Sequence, residues 1–356
     1  MPPHPKRRLL CAAIYGLFLL LLAEGGARLF WFARGVPFFT AQRRLHLSFY
    51  PGLAALERER ATPRVQSGAP DAECLEVLLL GGSALNNGYG DIEHLLRERL
   101  TREIRRCVRV HNLSEPGHTT LDSLYKYEHL ADQHFDLVIV YHGINEVRAN
   151  NCPRDVFRDD YGHFSWYRLI NAAEDGSASR WFVLPFTIEF VAVKLADRLG
   201  WSSTLPTHRP DAVSMEYGCA VKTAGPFRAN LEGIVKTAAA RREPLMLMTF
   251  AYYVPVDYTE ERFKARALDY TAHLLPIELW GQPACVVAIL SAHNEAVREL
   301  ASRYPDVLFV DQEAMIPKGG LYFNDICHFT HEGCERFVTD LLDKALPVAS
   351  LPRHPD

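Results

Sequence analysis

The chain has 356 residues, 48% of them hydrophobic and 23% charged, and a formal net charge of −4 at pH 7. This length and composition suit one large α/β domain with insertions, or two small domains. The mild negative charge argues against a nucleic-acid partner, and the short basic stretch from Arg102 to Arg109 is typical of a solvated helix face.

The N-terminal segment differs from that of a plain soluble protein. Lys6, Arg7 and Arg8 precede an uncharged apolar run from Leu9 to Ala23, which is typical of a secretory signal or a signal anchor. The run is shorter than the roughly 20 residues of a membrane span, but the following EGGARLFWF can extend it. No convincing small-x-small cleavage site follows, which favours a retained anchor over residues 1–35. A cleaved signal and a buried helix of a cytosolic domain are the alternatives.

The charges around this run predict its orientation. Basic residues before an apolar span keep the N-terminus in the cytoplasm, so the bulk of the chain is expected on the extracytoplasmic, periplasmic side. Glu24 and Arg28 are four residues apart and can pair on one helix face near the far interface. Trp31 and Phe32 suit the aromatic belt of that interface.

The cysteines fit an oxidising compartment without proving it. Apart from Cys11 in the anchor there are seven, and none forms a CxxC pair, so a zinc site is not expected. Cys74 and Cys107 each lie just before a predicted strand. If those strands are parallel neighbours, the two thiols lie side by side, which gives the hypothesis of a Cys74–Cys107 disulfide.

Residues 36–72, which include YPG and RATPRVQSGAP, are predicted to be a linker. A regular domain is predicted from residue 73 to 346, with a tail over 347–356. Its strands are predicted at EVLLLGG, VRVHNLS, DLVIVYHG, LMLMTFA and DVLFVDQ, and its helices at DIEHLLRERLTREI, TLDSLYKYEHLADQH, SAHNEAVRELASRYP and THEGCERFVTDLLDKAL. Because the strands are continuously apolar and alternate with helices, they predict an α/β fold with a parallel sheet covered on both faces.

The alternation stops between about residues 150 and 225. This aromatic stretch contains WFVLPFTIEFVAVKLADRL, but Pro185, Glu189 and Lys194 interrupt it too often for a membrane span. We expect a helical insertion over the carboxyl edge of the sheet. The pattern leaves open whether the insertion is a lid, touches the bilayer or extends the core as a helical layer.

The stretch EVLLLGGSALNNGYG ends an apolar strand in glycines, which is typical of a phosphate loop or of a turn that carries a nucleophile. The dinucleotide fingerprint does not fit, because its second and third glycines would fall on Ser83 and Asn86, and a P-loop would need a lysine. Ser83 remains at a strand end before a helix, where reacting groups gather in an open α/β sheet. It is therefore a candidate nucleophile, with a helix N-cap as the alternative.

Three further stretches follow later strands or close the domain. FNDICHFT places Asp325 three residues before His328, so the carboxylate can hold one imidazole nitrogen while the other acts as a general base. HNLSEPGHTT ends in Gly117, whose N–H can face the same crevice, and YHGINEV supplies Asn145, whose amide can donate to an oxyanion. Each piece alone is weak evidence, since such residues are common in turns, but all four at successive strand ends and in this order are hard to attribute to chance.

These stretches resemble the four blocks of the SGNH, or GDSL-like, hydrolases. The matching segments are GGS with Ser83, NLSEPG with Gly117, GINE with Gly143 and Asn145, and DICH with Asp325 and His328. The resemblance covers roughly Glu76 to Leu346 with a large insertion. Two positions depart from the family, since Gly82 and Glu146 stand where aspartate is usual, and they leave the subfamily open.

The resemblance implies a three-layer α/β/α fold like that of flavodoxin, with no metal or organic cofactor. It implies Ser83 as nucleophile, His328 as base and Asp325 as its orienting acid. The oxyanion donors would be Ser83, Gly117 and Asn145. The expected function is a membrane-anchored serine esterase or acylhydrolase that acts on an ester-bearing small molecule, lipid or glycan through an acyl-serine intermediate. An O-acyltransferase with the same site and a non-catalytic envelope scaffold are the alternatives.

Some neighbouring polar residues have less defined roles. His118 and Asn86 are candidates for substrate contact, although the sequence favours a solvated turn residue as the interpretation of Asn86. His142 is interpreted as structural. Glu146 either positions Asn145 or is a surface charge.

Overall fold

The computed structural model describes residues 5–61, 74–175, 181–201, 204–205 and 210–349. The chain forms two compact units. The helical unit comprises Met1–Glu57 and Tyr161–Leu205, and the sheet unit comprises Arg58–Asp160 and Pro206–Asp356. Most of the second half of the expected linker, residues 62–72, and the last part of the expected tail, residues 350–356, lie outside the described residues.

The elements are numbered in chain order. Helices α1 to α12 are Pro5–Phe32, Pro51–Ala61, Ile92–Ile104, Thr120–His129, Ser165–Glu174, Leu184–Leu199, Ala212–Glu216, Ala224–Arg241, Glu260–Lys264, Pro283–Arg303, Gln312–Met315 and His331–Ala349. Strands β1 to β5 are Leu75–Gly81, Val108–Asn112, Leu137–Tyr141, Leu245–Met248 and Leu308–Val310. Short 3₁₀ helices cover Gln42–Ser48, Ser83–Leu85, Asn145–Asn150 and Ile277–Leu279.

The five strands of the sheet unit form one parallel sheet in the order β2-β1-β3-β4-β5. Helices α3 and α12 pack together, while α8 packs against both α4 and α10, and both groups contact the sheet. Crossover connections between parallel strands are right-handed, so the face on which a helix lies depends on the direction in which the chain moves along the sheet. The chain moves one way from β1 to β2 and the opposite way from β2 to β5, which explains the two groups of helices. The predicted three-layer α/β/α fold with a five-stranded parallel sheet is confirmed.

The central strands form the core of this unit. All five residues of β3 are buried, as are six of the seven residues of β1. Burial on both faces requires continuous apolar sequence, which LEVLLLG and LVIVY supply. Fully burying each valine, leucine or isoleucine contributes about 1.5–3 kcal/mol, so these two strands set the frame on which the carboxyl-end loops are held.

Two long helices of the sheet unit differ from the sequence-based expectation. Helix α10 begins at Pro283, eight residues before the predicted start, since proline at the first turn is compatible with a helix. Helix α8 was not predicted at all, although Phe227, Leu231, Ile234 and Val235 recur at helical spacing and are buried.

The sheet unit contains two disulfides. The expected Cys74–Cys107 bond is present, because β1 and β2 are parallel neighbours and Leu75 pairs with Val108. A second bond joins Cys219 and Cys285. The sequence offered no pattern for this second pair, since neither cysteine adjoins a predicted strand.

In the helical unit, α1 is exposed and apolar along most of its length. It is the one helix among the described residues that is long and apolar enough to cross a membrane, over Lys6–Phe32. Glu24 and Arg28 pair at 2.8 Å, as their spacing predicts. Trp31, expected at a lipid–water boundary, is instead buried and donates from Nε1 to Thr187 Oγ1 at 2.8 Å, while Phe32 is exposed.

Candidate active site

Ser83 follows the carboxyl end of β1, which has β3 as its neighbour in the sheet. The order of the strands reverses at this point, because β2 and β3 lie on opposite sides of β1, and such a switch point opens a crevice in α/β sheets. Gly81 ends the strand, Gly82 follows it and Ser83 begins a single 3₁₀ turn. The hydroxyl Oγ of Ser83 lies 2.8 Å from Nε2 of His328, across a sequence separation of 245 residues.

His328 is held from behind by Asp325. Its Nδ1 lies 2.7 Å from Oδ2 and 3.0 Å from Oδ1 of that carboxylate, and both side chains are fully buried. A carboxylate accepts but does not donate, so the bond places the ring proton on Nδ1. The lone pair of Nε2 then faces Ser83, and the serine hydroxyl donates to it.

Backbone groups fix the position of the Asp325 carboxylate. Its Oδ1 accepts from the N–H groups of Cys327 and His328, each at 2.9 Å, and its Oδ2 accepts from the Leu275 N–H at 3.1 Å. The loop closes on itself because Asn324 N donates to His328 O at 2.7 Å. The acid and the imidazole are therefore carried on one tight turn, which leaves little freedom to the ring.

Helix α12 begins directly after this turn. Thr330 caps it, since Oγ1 accepts from the Gly333 N–H at 3.0 Å, which is the usual role of a threonine before a helix. The cap anchors the outgoing end of the Asp325–His328 turn to a buried helix.

Two backbone N–H groups were expected to act as oxyanion donors, those of Ser83 and Gly117. Neither the Ser83 N–H nor the Gly117 N–H donates a hydrogen bond within the part of the chain that the structure describes. Gly117 has φ of +82°, a conformation that side chains with a Cβ rarely adopt. Two N–H groups are thus presented at the ends of β1 and β2 without internal partners.

Asn145 supplies a side-chain donor at the end of β3. Its Nδ2 donates one proton to His118 O at 2.8 Å, which fixes the amide, and the second N–H stays available. A Cβ on Gly82 would lie 2.4 Å from this Nδ2. In this arrangement the missing side chain of Gly82 leaves the space that the Asn145 amide occupies.

A buried lysine lies behind His118. Lys126 Nζ donates to Leu113 O at 2.6 Å and to His118 Nδ1 at 2.8 Å. Burial, together with the nearby Lys126 ammonium, lowers the pKa of His118 to about 3. Burial also lowers the pKa of Lys126, to about 8, although Asp122 and Glu115 oppose that change. His118 is therefore a neutral acceptor at pH 7, and its ring is engaged inside the fold.

Glu146 is fully buried, so the interpretation as a surface charge is wrong. Its Oε1 accepts from the Thr120 N–H at the start of α4. Burial raises the pKa of Glu146 to about 8, against the opposing hydrogen bond from Thr120. The side chain next to Asn145 thus joins the loop after β3 to the helix after β2.

Asn86 and His142 also have polar atoms that form hydrogen bonds within the fold. Asn86 donates from Nδ2 to Ser114 O at 2.8 Å and accepts at Oδ1 from the Gly88 N–H at 2.9 Å. His142 is buried and lies 2.7 Å from the Ser123 hydroxyl, and burial lowers its pKa to about 3. These contacts give His142 a structural part, as its sequence context suggested.

Tyr89 is a site residue that the sequence did not identify. Its ring stacks on the His328 ring, with centroids 4.4 Å apart and planes 19° from parallel. Tyr89 N donates to Asn86 O at 2.9 Å, so the turn after Ser83 places the ring. The sequence feature that could have pointed to Tyr89 is its position six residues after the candidate nucleophile, inside the same glycine turn.

The same corner holds three potential metal ligands. Single ligand atoms of Asp325, Cys327 and His328 lie within 4.8 Å of one another. Both imidazole nitrogens of His328 are already hydrogen-bonded, to Asp325 and to Ser83. This donor set therefore suits proton transfer better than metal binding.

No protein-family model matches this chain, and neither does any curated protein. Among solved structures, the chain is similar to a GDSL-like lipase from Bacteroides thetaiotaomicron, at 13% identity over 85% of this chain and 99% of that one, with a TM-score of 0.45. It is also similar to the acetylxylan esterase Axe2 from Geobacillus stearothermophilus, at 15% identity over 77% and 96%, with a TM-score of 0.41. A third is LAE5, an α/β hydrolase from the Lake Arreo metagenome, at 14% identity over 79% and 98%, with a TM-score of 0.42.

Proposed function

We propose that this chain is a serine esterase or acylhydrolase of the SGNH type, which cleaves carboxylic esters through an acyl-serine intermediate. One observation carries the proposal. Asp325, His328 and Ser83 form a continuous hydrogen-bonded chain, 2.7 Å and 2.8 Å long at its two links. A hydroxyl with an oriented base behind it is the arrangement that activates a serine nucleophile.

The first half of the reaction forms the acyl-serine. Ser83 Oγ attacks the ester carbonyl while His328 Nε2 takes its proton, and the Asp325 carboxylate stabilises the resulting imidazolium. The tetrahedral intermediate then collapses. The bond from carbon to the alcohol oxygen breaks, and His328 returns the proton to that leaving alcohol.

The second half releases the acid. A water molecule gives a proton to His328 Nε2 and attacks the acyl carbon, and the intermediate expels Ser83 Oγ, which takes the proton back. In both halves the negative oxygen is stabilised by the N–H groups of Ser83 and Gly117 and by the free N–H of Asn145. His118 and Asn86 are proposed to line the substrate site. Their role is to shape it rather than to donate hydrogen bonds to substrate, because their polar atoms already bond within the fold.

The location of the enzyme is part of the same proposal. We infer that α1 is retained as a membrane anchor with the sheet unit on the extracytoplasmic side. The basic residues Lys6, Arg7 and Arg8 before the apolar run support this orientation. The two disulfides of the sheet unit support it as well, because such bonds persist in oxidising compartments.

A fluorophosphonate probe tests the proposed nucleophile. We expect the purified full-length protein to react covalently, with the label at Ser83 when tryptic peptides are analysed by mass spectrometry. Protein unfolded in urea serves as control and should not react, because the hydroxyl is activated only next to His328. A folded protein that stays unlabelled, or is labelled at another serine, would contradict the assignment and favour the scaffold alternative.

A substrate panel then defines the acyl group. The panel compares p-nitrophenyl acetate, butyrate and palmitate, with and without a sugar acceptor. A preference for acetate indicates deacetylation, a preference for palmitate indicates a lipid substrate, and acylated sugar among the products indicates transfer.

Tyr89 is expected to support the base. The stacked ring offers its face to the imidazolium that forms during attack, and an aromatic pair contributes about 0.5–1.5 kcal/mol. Tyr89→Leu should therefore lower kcat for p-nitrophenyl acetate by roughly 2- to 12-fold, while Tyr89→Phe keeps the stack and most of the rate. A Tyr89→Phe variant that is as slow as Tyr89→Leu would show that the hydroxyl, not the ring face, is what matters.

A further inference from the structure

Helix α6 of the helical unit is fixed to α1 along one side. The Glu24 carboxylate accepts from the backbone N–H groups of Val183 and Leu184 at 2.9–3.1 Å, and so satisfies donors at the start of α6. Arg28 pairs with Glu24 and donates to Trp181 O. These bonds tie the first turn of α6 to a defined level of α1.

Aromatic contacts complete the attachment. Trp31 donates to Thr187 Oγ1 and packs against the rings of Phe186 and Phe190, with centroids 5.5 Å and 5.0 Å away. Phe186 and Thr187 are buried, and Phe190 is half-buried. The inner side of α6 is therefore already occupied by α1.

The opposite side of α6 is apolar and exposed. We define the outer face as Pro185, Ile188, Val191, Ala192, Leu195 and Leu199. At 3.6 residues per turn these positions form one stripe, and the exposed fractions of Ile188 and Leu195 are 61% and 52%. The charged residues of the helix, Glu189, Lys194, Asp197 and Arg198, fall beside this stripe or behind it.

Tryptophans stand at both ends of the outer face. Trp181 precedes α6 and is 75% exposed, and Trp201 follows it and is 78% exposed. Exposed tryptophans at the ends of an apolar stripe are costly in water but suit the boundary between lipid and water. A soluble protein rarely leaves a contiguous apolar face of this length open.

The level of α6 along α1 identifies what covers this face. Glu24 lies eighteen residues after Lys6, which is ~27 Å along a helix, close to the ~30 Å thickness of the hydrocarbon core. If α1 spans a bilayer with Lys6 at one boundary, α6 starts at the other boundary. Leu20 and Leu29 of α1, in the same unit, are likewise apolar and exposed.

We propose that the outer face of α6 lies in the interfacial layer of the bilayer that α1 crosses, so that the helical unit holds the membrane through two helices. The occupant of this face is the boundary between lipid headgroups and acyl chains, as for other interfacial helices. The proposal rests on the span proposed for α1 and is independent of ester hydrolysis.

Spin labelling of the full-length protein in vesicles of phosphatidylcholine and phosphatidylglycerol tests it. Exposed Cys11 is first replaced by serine, and the remaining free cysteines Cys152, Cys327 and Cys334 are buried and should not react. Single cysteines at Ile188 and Leu195 report on the outer face. Matched exposed positions are Leu20 in α1 and Val256 in the sheet unit.

We expect labels at Ile188 and Leu195 to be accessible to oxygen, which concentrates in lipid, and protected at least fivefold from a water-soluble nickel complex relative to Val256. Labels at these sites that meet nickel as freely as Val256, while Leu20 stays in lipid, would overturn the proposal and leave the anchor standing. A Leu20 label that also meets nickel would overturn both. The labels could instead be shielded from both oxygen and nickel and show spin–spin broadening that disappears on dilution with unlabelled protein. That result would overturn the proposal and show that a second copy of the chain covers the outer face.

Native tryptophan fluorescence gives a reading that needs no new cysteine. Brominated lipids should quench wild-type emission, and Trp181→Phe together with Trp201→Phe should remove most of the quenched component. Trp280 is buried in the core of the sheet unit and serves as the internal reference. Quenching that is unchanged in the double variant would contradict the interfacial placement.

Discussion

Replacing Ser83 by alanine should lower ester hydrolysis by roughly 10⁴- to 10⁶-fold, as expected when a unit of three cooperating groups loses its nucleophile. Without Oγ no acyl-serine can form, and His328 has no hydroxyl to deprotonate. The remaining N–H donors and the Asp325–His328 pair can only assist direct attack by water. Initial rates with p-nitrophenyl acetate measure the loss, and the fluorophosphonate label should vanish with it.

A matched serine separates chemistry from folding. Ser291 is exposed on α10 of the same unit, so Ser291→Ala should keep wild-type turnover. Far-ultraviolet circular dichroism should be unchanged for both variants, because the Ser83 side chain fills little core volume. Equal turnover of Ser83→Ala and wild type would show that Ser83 is not the nucleophile and would contradict the proposed function.

Asn145→Ala should lower kcat by about 10²- to 10³-fold, which corresponds to the ~2.7–4 kcal/mol lost with one oxyanion donor. The negative charge exists only in the transition state and intermediate, so the loss should fall on kcat, with KM nearly unchanged. Steady-state kinetics with the preferred ester of the panel separate the two constants.

Asn150 provides a control for this variant, because it ends the 3₁₀ helix that Asn145 begins. It is fully buried and bonds the backbone at Gly218, Ala220 and Lys222. Asn150→Ala should lower Tm but preserve kcat, whereas Asn145→Ala should lower kcat with a smaller change in Tm. Losses of turnover that simply follow the losses of Tm in both variants would reduce Asn145 to a structural residue.

The sheet was predictable from sequence because its strands are short apolar runs separated by helical patterns. Runs such as LVIVY carry their own evidence, since only a strand buried on both faces is apolar at every position. The Cys74–Cys107 bond followed from the same frame, because neighbouring parallel strands start at one edge. These inferences use local spacing and the geometry of one sheet.

The parts that escaped prediction depend on contacts between distant segments. The bond from Leu275 N to Asp325 joins residues 50 positions apart, and the Cys219–Cys285 disulfide joins residues 66 apart. Nothing in either local sequence marks its partner. Lys126 looks like a solvent-facing residue of an amphipathic helix, yet it is fully buried because Leu113 O and His118 bind its ammonium group.

The candidate site shows the same division. Asp325 and His328 could be paired from their spacing, and Ser83 stood out at a strand end. The stacking of Tyr89 on His328 could not be foreseen, because it needs the glycine turn and the last loop to meet. The buried position of Glu146 was also open, since a glutamate after a strand gives no sign of which group it will bind.

The sequence separation of 245 positions between Ser83 and His328 has a consequence for when the proposed site can form. A nascent chain exposes its serine long before the imidazole has been synthesised, and the two meet only when the final loop docks on β1. Contacts this remote in sequence form late, since loop closure must be offset by the packing around them. Under the proposed mechanism, a half-made chain therefore lacks the general base and cannot form the acyl-serine until the last segment has folded onto the sheet unit.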